Sequence, residues 1–372
     1  MIKHRILKLT VVLAGAVCIC FWLISLANRM ETDSYTKKPA EADNRFKNGY
    51  IMEKTIISGK GQKDEDIPGP SMPDTNMWGE DCITEMNFNV GGYTTQKGIT
   101  DVSQLHHLER LYLSIDNDMA DLTPLGNLGE LKYLNLTAGC NPDLSFIEDL
   151  DQLEELYICV GEEVDLSPLG SLTGLKQLTM GNQDISDLLF LKELDQLEEV
   201  VIIKATSGLE DLSCFQGMVN LKRLCISYVD DVDLEYLCKC ENLEDIYIVG
   251  GNIRNPEGLA NMEHLKDLHL DNIHQGQDAF DLSPLAQLPE LDSVMLVNLP
   301  IEDVSPLAEA NSLTFICLAG TYVEDISPLK DLELDYLWIY GNKSEKVKEQ
   351  AEEYFSDIHN LVVEDTVPEN GL

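Results

Sequence analysis

The stretch that decides the fold runs from Asp121 to Thr137 and reads DLTPLGNLGELKYLNLT. Leucine recurs at every third position from Leu122 to Leu134, and the stretch ends on the alternation LNL at 134–136. The three-residue interval favours a 3₁₀ or short helical turn, because side chains three residues apart share one face of it. The alternation favours a strand, whose successive side chains point to opposite faces. One such unit exposes a leucine face that only a neighbouring copy can bury.

The same unit recurs along most of the chain. We call the residue that opens the final L-x-L of each unit its anchor. The anchors are Leu111, Leu134, Leu156, Leu178, Val200, Leu224, Ile246, Leu268, Val294, Ile316 and Leu337, and Met86-Asn87-Phe88 makes an earlier copy. Successive anchors from Leu111 onward lie 21 to 26 residues apart, most often 22. This period predicts an α/β solenoid: a leucine-rich-repeat horseshoe of about 11–12 repeats of ~22 residues with a concave parallel sheet.

A second motif, D-[LIV]-[ST]-P-L, precedes the leucine-rich turn in five repeats. It occupies residues 121–125, 165–169, 281–285, 303–307 and 325–329. We interpret its Ser/Thr-Pro pair as the N-cap and first position of a helical turn, with the hydroxyl accepting an orphan amide.

Together, the period and this motif resemble the internalin-type repeats of bacterial surface proteins, over about residues 83–342. The resemblance implies a curved solenoid whose concave parallel sheet binds proteins. It also implies an asparagine after each strand, and here Asn342 matches. The other repeats depart from that pattern with Asp116, Gly161, Gln183, Ala205, Gly251 and Thr321. We expect water or shifted neighbours such as Asn182 and Asn252 to satisfy the backbone there. A C-terminal LPxTG-type sorting signal is absent from the sequence, so host-cell invasion does not carry over.

Composition divides the chain into four parts. Residues 1–30 are an N-terminal signal or membrane anchor, and residues 31–75 are a polar stalk with helix breakers and no hydrophobic periodicity. The leucine-rich-repeat domain covers residues 76–342, and residues 343–372 form a C-terminal helix–strand cap. In the cap, Ser344 opens the helix and Leu361-Val362-Val363 is the strand. A solenoid needs such a cap because its last repeat exposes a leucine face.

The N-terminal segment predicts a location at the cell surface or secretion. Basic residues precede an uncharged run from Leu9 to Ala27, which is long enough to cross a bilayer. Because Lys and Arg before such a run hold the N-terminus inside, the rest of the chain should lie outside the cytoplasm. Ser25-Leu26-Ala27 also offers a cleavage site. We favour a single-pass anchor over a cleaved signal peptide, and the membrane is contacted through this segment only.

The chain is strongly acidic, with 26 basic and 66 acidic residues and a formal net charge of −40. Such a surface repels phosphate backbones and anionic headgroups, which excludes nucleic acid and a lipid surface as the ligand. One interpretation is that the acid keeps a long repeat protein soluble. The other is that it selects a cationic protein partner.

The partner-binding residues are predicted from strand alternation. The residues just before, just after and three after each anchor point away from the leucine core. From these positions, the predicted partner-binding residues are Tyr112, Tyr133, Tyr157, Val201, Tyr247, Met295, Phe315, Tyr336, Trp338 and Tyr340. Exposed apolar surface rich in Tyr and Trp is typical of interface centres. Two alternatives stay open: the C-terminal cap covers the last three residues, or β propensity alone selects them.

Catalytic and metal-binding signatures are missing from the sequence, which has no HExxH, GxSxG, phosphate-cradling glycine loop or CxxC. His269 lies between Asp267 and Asp271, and we expect these acids to raise its pKa. Cys214 and Cys238 sit on adjacent turns and are candidates for a disulfide. We predict no catalytic residue, no metal and no cofactor.

The sequence therefore predicts an extracytoplasmic protein that binds a protein partner through the concave face of its solenoid. The alternative is a structural component of the cell envelope without a dedicated ligand. The partner and the biological process are not named by any motif.

Overall fold

A computed structural model describes residues 84–88, 96–115, 120–161, 164–181, 188–203, 212–237, 239–272, 279–358 and 360–367. For residues 87, 88 and 228–231 it describes the backbone alone. The predicted N-terminal segment and stalk, residues 1–30 and 31–75, lie outside this part of the chain. In the described part, no helix is long and apolar enough to cross a membrane.

Thirteen described strands form one parallel sheet, in which each strand pairs with the next along the chain. The strands are β1 Glu85–Phe88, β2 Arg110–Ile115, β3 Tyr133–Ala138, β4 Glu155–Cys159, β5 Gln177–Gly181, β6 Glu199–Ile203, β7 Arg223–Asp233, β8 Asp245–Arg254, β9 Asp267–Asn272, β10 Ser293–Val297, β11 Phe315–Ala319, β12 Tyr336–Tyr340 and β13 Asn360–Glu364. This is the predicted leucine-rich-repeat solenoid, and its sheet is open.

Short 3₁₀ helices return the chain from one strand towards the next. They are Thr123–Asn127, Ser145–Asp149, Ser167–Ser171, Leu189–Glu193, Ser213–Phe215, Leu234–Leu237, Pro256–Asn261, Ser283–Leu285, Ser305–Glu309 and Ser327–Asp331. Two α-helices flank the described repeats: α1 Gln96–Val102 near the start and α2 Glu345–Phe355 after β12.

The anchors stand in register across the whole sheet, from Met86 opposite Leu111 to Leu337 opposite Leu361. Nearly all are completely buried in a continuous core that also contains the leucines of the 3₁₀ helices. Each buried leucine contributes about 1.5–3 kcal/mol to the gross stabilisation, so stacking offsets the entropy of ordering the repeats. The leucine period is therefore the cause of the fold.

In the five D-[LIV]-[ST]-P-L motifs the Asp carboxylate, and not the hydroxyl of Ser or Thr, accepts the amide at the start of the 3₁₀ helix, so that part of the motif's interpretation was wrong. Asp121 Oδ1 accepts the backbone N–H of Thr123 at 3.0 Å and its hydroxyl at 2.6 Å. Asp281 does the same for Ser283, at 2.8 and 2.6 Å. An ionised carboxylate is an acceptor only and binds donors more strongly than a hydroxyl can, so the Ser/Thr hydroxyl becomes a donor.

Two residues before each of the eight anchors from Leu111 to Leu268, acidic and basic side chains alternate from strand to strand. The series is Glu109, Lys132, Glu154, Lys176, Glu198, Lys222, Glu244 and Lys266. Each Lys binds the Glu one repeat earlier, at 2.7, 3.0, 2.6 and 2.8 Å along the chain. We call this row the charge ladder. It neutralises four acids on one rim of the concave face.

Direct backbone bonds join neighbouring coils just after some of the described strands, at or next to the position of the expected asparagine. Gly161 N donates to Cys140 O at 3.0 Å, and Asn298 N donates to Ala319 O at 2.7 Å. Strands β7 and β8 continue past a bulge at Ser227/Val229, so Asn252 lies within the sheet. Asn342 fits the expected pattern: its Nδ2 donates to Val323 O at 2.6 Å, and its Oδ1 accepts from Ser344 N at 2.9 Å.

The C-terminal residues form the expected cap. Ser344 Oγ accepts the N–H of Val347 and begins α2. Val347, Ala351 and Phe355 are buried in the main core, so the helix closes the end of the leucine stack. β13 then pairs with β12 and extends the sheet by one strand.

Candidate functional site: the concave face

The ten predicted partner-binding residues all lie on the sheet face opposite the leucine core, in three rows across the strands. Tyr133, Phe315 and Tyr336 belong to the row before the anchors, and Tyr340 belongs to the row three after. Tyr112, Tyr157, Val201, Tyr247, Met295 and Trp338 belong to the row just after the anchors. Five of the ten are buried: Tyr133, Val201, Met295, Phe315 and Trp338. The other five are half-buried.

A second apolar cluster, separate from the main core, covers the concave face of β10–β13. It contains Met295, Val297, Phe315, Cys317, Ala319 and Trp338, against which Tyr336, Tyr340, Val362 and Val367 pack half-buried. We call these ten residues the aromatic patch. The ring centroid of Trp338 lies 5.4 Å from that of Phe315 and 6.2 Å from that of Tyr340, both edge-on. Such edge-to-face pairs hold the rings in fixed positions.

The described part of the cap contributes few side chains to this patch. Helix α2 packs into the main core rather than against the patch. The cap reaches the patch through Val362 of β13 and through Val367. Trp338 also packs against the rings of Phe315, Tyr336 and Tyr340 on the same face, which contributes to its low exposure.

Trp338 carries an unsatisfied polar atom. Its side chain is 8% exposed, and its indole Nε1 finds no acceptor among the described residues. A buried N–H without a partner costs about 1–3 kcal/mol. Buried tryptophan normally satisfies this donor, so Trp338 departs from the usual pattern.

Acidic side chains border the aromatic patch on β8 and β9. Asp245 stands opposite Asp267 in the row before the anchors, and Asp271 stands opposite Val297 in the row three after. Arg223 binds Asp245 at 3.2 Å and Glu199 at 2.9 Å. Burial and then the neighbouring Asp267 raise the pKa of Asp245 to about 6. We call Asp245, Asp267 and Asp271 the acidic border.

His269 contradicts the expected pKa shift. Its ring lies 4.1 Å from that of Tyr247, and Met295 is its partner in register on the other side. Burial lowers the pKa of His269 to about 3, so the imidazole is neutral at physiological pH. The same enclosure raises the pKa of the Cys225 thiol to about 12 and keeps it protonated. Neither side chain is poised as a base or a nucleophile.

A smaller aromatic group lies on the first strands. The rings of Tyr112 and Tyr133 are 4.9 Å apart, and the Arg110 guanidinium carbon lies 4.0 Å above the Tyr133 ring. This is a cation–π contact, and burial raises the pKa of Tyr133. The group is rigid and carries its own cation.

The described residues contain no cluster of metal-binding side chains. No group of three His, Cys, Asp or Glu side chains there could hold a metal ion. Cys214 is buried. Cys238 falls outside the described residues, so the disulfide between the two stays a prediction.

Comparisons with known proteins identify the fold. No protein-family model and no curated protein sequence matches the chain. Among solved structures, the internalin InlF of Listeria monocytogenes is similar over 73% of this chain and 82% of its own, with 24% identity and a TM-score of 0.62. The fold is that of an internalin-type leucine-rich-repeat protein.

Two further solved structures are similar to this chain to a lesser degree. Internalin C2 of the same bacterium matches 66% of this chain and 91% of its own, with 21% identity and a TM-score of 0.40. The plant peptide hormone receptor RGFR1, solved in complex with RGF2, matches 68% of this chain and 44% of its own, with 15% identity and a TM-score of 0.50.

Two features of the concave face were missed by the sequence reasoning. The sequence indicates Asp267 and Asp271 only as neighbours of His269, and it does not single out Asp245. The offset rule that selected the aromatic residues also selects these acids. The unsatisfied Trp338 N–H has no sequence signal, because it depends on what the neighbouring strands bring near.

Proposed function

We propose that this protein binds a protein partner through the concave face of its solenoid, with the aromatic patch at the centre of the interface. One observation carries the proposal: an apolar, aromatic cluster outside the main core, containing a buried donor without an acceptor. Soluble proteins rarely build such a cluster on a sheet face, and interface centres are rich in Tyr and Trp. Solenoids of this fold also bind such ligands, as RGFR1 binds RGF2.

The rigidity of the patch supports binding with little loss of entropy. Trp338 and Phe315 are already ordered by each other and by the strands beneath them. A partner that docks on preordered rings avoids the cost of fixing them, which is about 0.5–1.5 kcal/mol for each mobile side chain. Tyr336 and Tyr340, half-buried at the edges, offer hydroxyls for contact.

The alternative function is a structural component of the cell envelope. The observation that favours it is that half of the ten predicted residues are buried by one another. In that case the acidic surface serves to space and hydrate, and the patch only stiffens the end of the solenoid.

We also propose that the chain acts outside the cytoplasm, held by residues 1–30 and spaced from the membrane by residues 31–75. The proposal rests on the basic start, the apolar run and the polar segment of the sequence. Adding protease to intact cells should digest the repeats if they are outside, and leave them whole if they are inside. The mass of the recovered N-terminal peptide distinguishes an uncleaved anchor from a cleaved signal.

The binding proposal is tested with the full-length chain in mild detergent, immobilised and exposed to extracellular proteins. The test variant is Tyr336→Ser with Tyr340→Ser. The matched control is Tyr322→Ser with Tyr354→Ser, which removes two tyrosines, 56% and 36% exposed, from outside the patch. We expect quantitative mass spectrometry to find proteins that wild type and control retain and the patch variant loses. Equal retention by all three, with unchanged melting, would favour the structural alternative.

A further inference from the structure

The sheet ends on a strand with one open side. In the described part of the chain, β13 pairs with β12 and with no other strand. Every second residue of such an edge strand points its backbone N–H and C=O away from the sheet, where water or another strand must satisfy them. Proline, lysine or a bulge commonly protects an edge, and β13 has none of them. β13 is therefore a template for one more strand.

Apolar side chains on both faces of β13 are incompletely covered. Leu361 and Val363 continue the rows of Leu337 and Ile339 on the core side of the sheet. Leu337 and Ile339 are completely buried, whereas Leu361 and Val363 stay half-buried although both pack against the main core. Val362 is half-buried on the concave face, where it belongs to the aromatic patch. A strand added beside β13 would cover all three side chains.

The order of side chains in β13 is self-complementary. It runs polar, apolar, apolar, apolar, polar from Asn360 to Glu364. When two copies pair antiparallel with Val362 opposite its equivalent, Leu361 stands opposite Val363 and Asn360 stands opposite Glu364. A register shifted by two residues would set Val362 against Asn360 or against Glu364. The sequence therefore favours one antiparallel register of β13 with a second copy of itself.

The charges near this edge are compatible with that register. Glu364 is the one charged residue of β13, and its neighbour across the axis is the amide of Asn360, which can donate to a carboxylate. Lys348 Nζ lies 2.9 Å from Asp365 Oδ1 and balances the next acid. The net charge of −40 on each copy still opposes association, but salt screens it beyond about 8 Å at physiological ionic strength. Association should therefore strengthen as the salt concentration rises.

We propose that two copies of this chain pair through β13, antiparallel about a two-fold axis at Val362, and join their sheets into one. The interface is isologous, because the same strand contributes both halves. The two aromatic patches then lie side by side on a continuous concave surface. This interaction surface goes beyond the proposed function, which does not require a second copy.

A cysteine placed on the axis tests the register. Facing Cα atoms of an antiparallel pair lie about 4.5–5.5 Å apart, which is within the range of a disulfide. Full-length Val362→Cys in mild detergent should therefore form a covalent dimer on mild oxidation. Wild type, which already has ten cysteines, measures the background, and Thr366→Cys, at an exposed position after β13, is the matched control. Equal cross-linking of all three would overturn the axis at Val362.

Charge exchange tests the pair at the ends of the strand. Asn360→Glu sets like charges opposite each other and should weaken the dimer roughly threefold to tenfold, whereas Asn360→Lys should tighten it by a similar factor. Asn360→Glu with Glu364→Lys restores opposite charges and should recover the association of wild type. Sedimentation velocity at low and high salt gives the dissociation constants. Melting curves check the fold, because Asn360 Nδ2 also donates to Asp335 O at 3.4 Å.

Three outcomes would overturn this proposal. The first is a wild-type chain that stays monomeric over its whole soluble range. The second is a dimer that is insensitive to the charge at residue 360 and is not cross-linked by Val362→Cys, because such a dimer uses another face. The third is a ladder of larger assemblies, which would indicate head-to-tail pairing of β13 with β1. None of these results affects binding on the concave face, which the retention experiment decides.

Discussion

The guanidinium of Arg223 bridges two strands: its Nη1 lies 2.9 Å from Glu199 Oε2 on β6, and its Nε lies 3.2 Å from Asp245 Oδ2 on β8. The Glu199 side chain is only 10% exposed, whereas that of Arg223 is 45% exposed. The bridge therefore balances a carboxylate that has little access to water. Its neighbour in sequence, Lys222, makes the exposed counterpart in the charge ladder.

Arg223→Met should lower the free energy of unfolding by about 1–3 kcal/mol, because it removes the positive charge that Arg223 places against the buried carboxylate of Glu199. Lys222→Met is the matched control, since its bond to Glu198 at 2.6 Å joins two side chains that are 48% and 43% exposed. The control should cost at most about 1 kcal/mol. Urea denaturation measures both, and equal losses would show that the Arg223 bridge is no more than a surface ion pair.

The Asp245 carboxyl should make the free energy of unfolding fall as pH rises. Its folded pKa of about 6 is above that of an unfolded aspartate, about 3.9, so the folded state binds more protons between these values. The contribution is present below the unfolded pKa and is lost as pH rises through about 6. Arg223, Glu244 and Asp267 are the charged groups that act on this carboxyl.

Asp245→Asn should therefore flatten the dependence of stability on pH between about 4 and 6. Water screens the partly exposed side chain, so we expect a change of at most about 1 kcal/mol. Carboxyl NMR of wild type gives an independent check. A titration of Asp245 at an ordinary aspartate pKa would contradict this account of the acidic border.

The Asp325 carboxylate should instead make the free energy of unfolding rise as pH rises. Lys346 Nζ at 2.7 Å, Ser327 N at 2.9 Å and Gln350 Nε2 at 2.8 Å all donate to it and hold its pKa well below the usual range. Its contribution is present above the unfolded pKa and is lost as pH falls through the folded one. The bonds tie α2 to the last 3₁₀ helix.

Asp325→Asn should lower the melting temperature at pH 7, and the difference from wild type should shrink as pH falls below about 4. Asp331→Asn, an exposed acid on the same 3₁₀ helix, is the control. If both variants melt alike at pH 7, the cap does not depend on Asp325.

Gly341→Ala should destabilise the last repeat by roughly 1–2 kcal/mol, because Gly341 has φ +71°, where a Cβ is strained. The new Cβ would also lie 3.0 Å from Val367 Cγ2 and disturb that side chain of the aromatic patch. The control is Gly129→Ala, where nothing lies within 4 Å and φ is outside the left-handed region. It should be neutral or stabilising by about 0.4–1 kcal/mol in thermal unfolding. Equal effects would contradict the backbone argument.

The register of the sheet could be predicted from the sequence because burial of one anchor depends on the next. Leu111, Leu134 and Leu156 repeat at an interval close to one coil, so each can only bury itself against its equivalent. The cap was predictable for a similar reason: Ser344 is a helix start and the end of a solenoid must be covered. Structural features that follow from the repeat itself can therefore be predicted from the sequence.

The concave face was less predictable because lateral neighbours control it. His269 has acids two residues away in sequence, but Tyr247 and Met295 on adjacent strands decide its contact with water. Trp338 packs against Phe315 on β11 and stands opposite Val362 on β13, and its own repeat contains neither residue. The capping role of Asp121 was missed because a carboxylate and a hydroxyl compete for one amide, and their geometry decides the outcome.

The charge ladder implies that coils between Glu109 and Lys266 can be removed in pairs without placing like charges side by side. Excising one coil would bring Glu109 beside Glu154, or Lys132 beside Lys176, and set like charges against each other. Excising two neighbouring coils would restore opposite charges at the new junction. Versions of this protein that are shortened between Glu109 and Lys266 should therefore be built by removing an even number of coils.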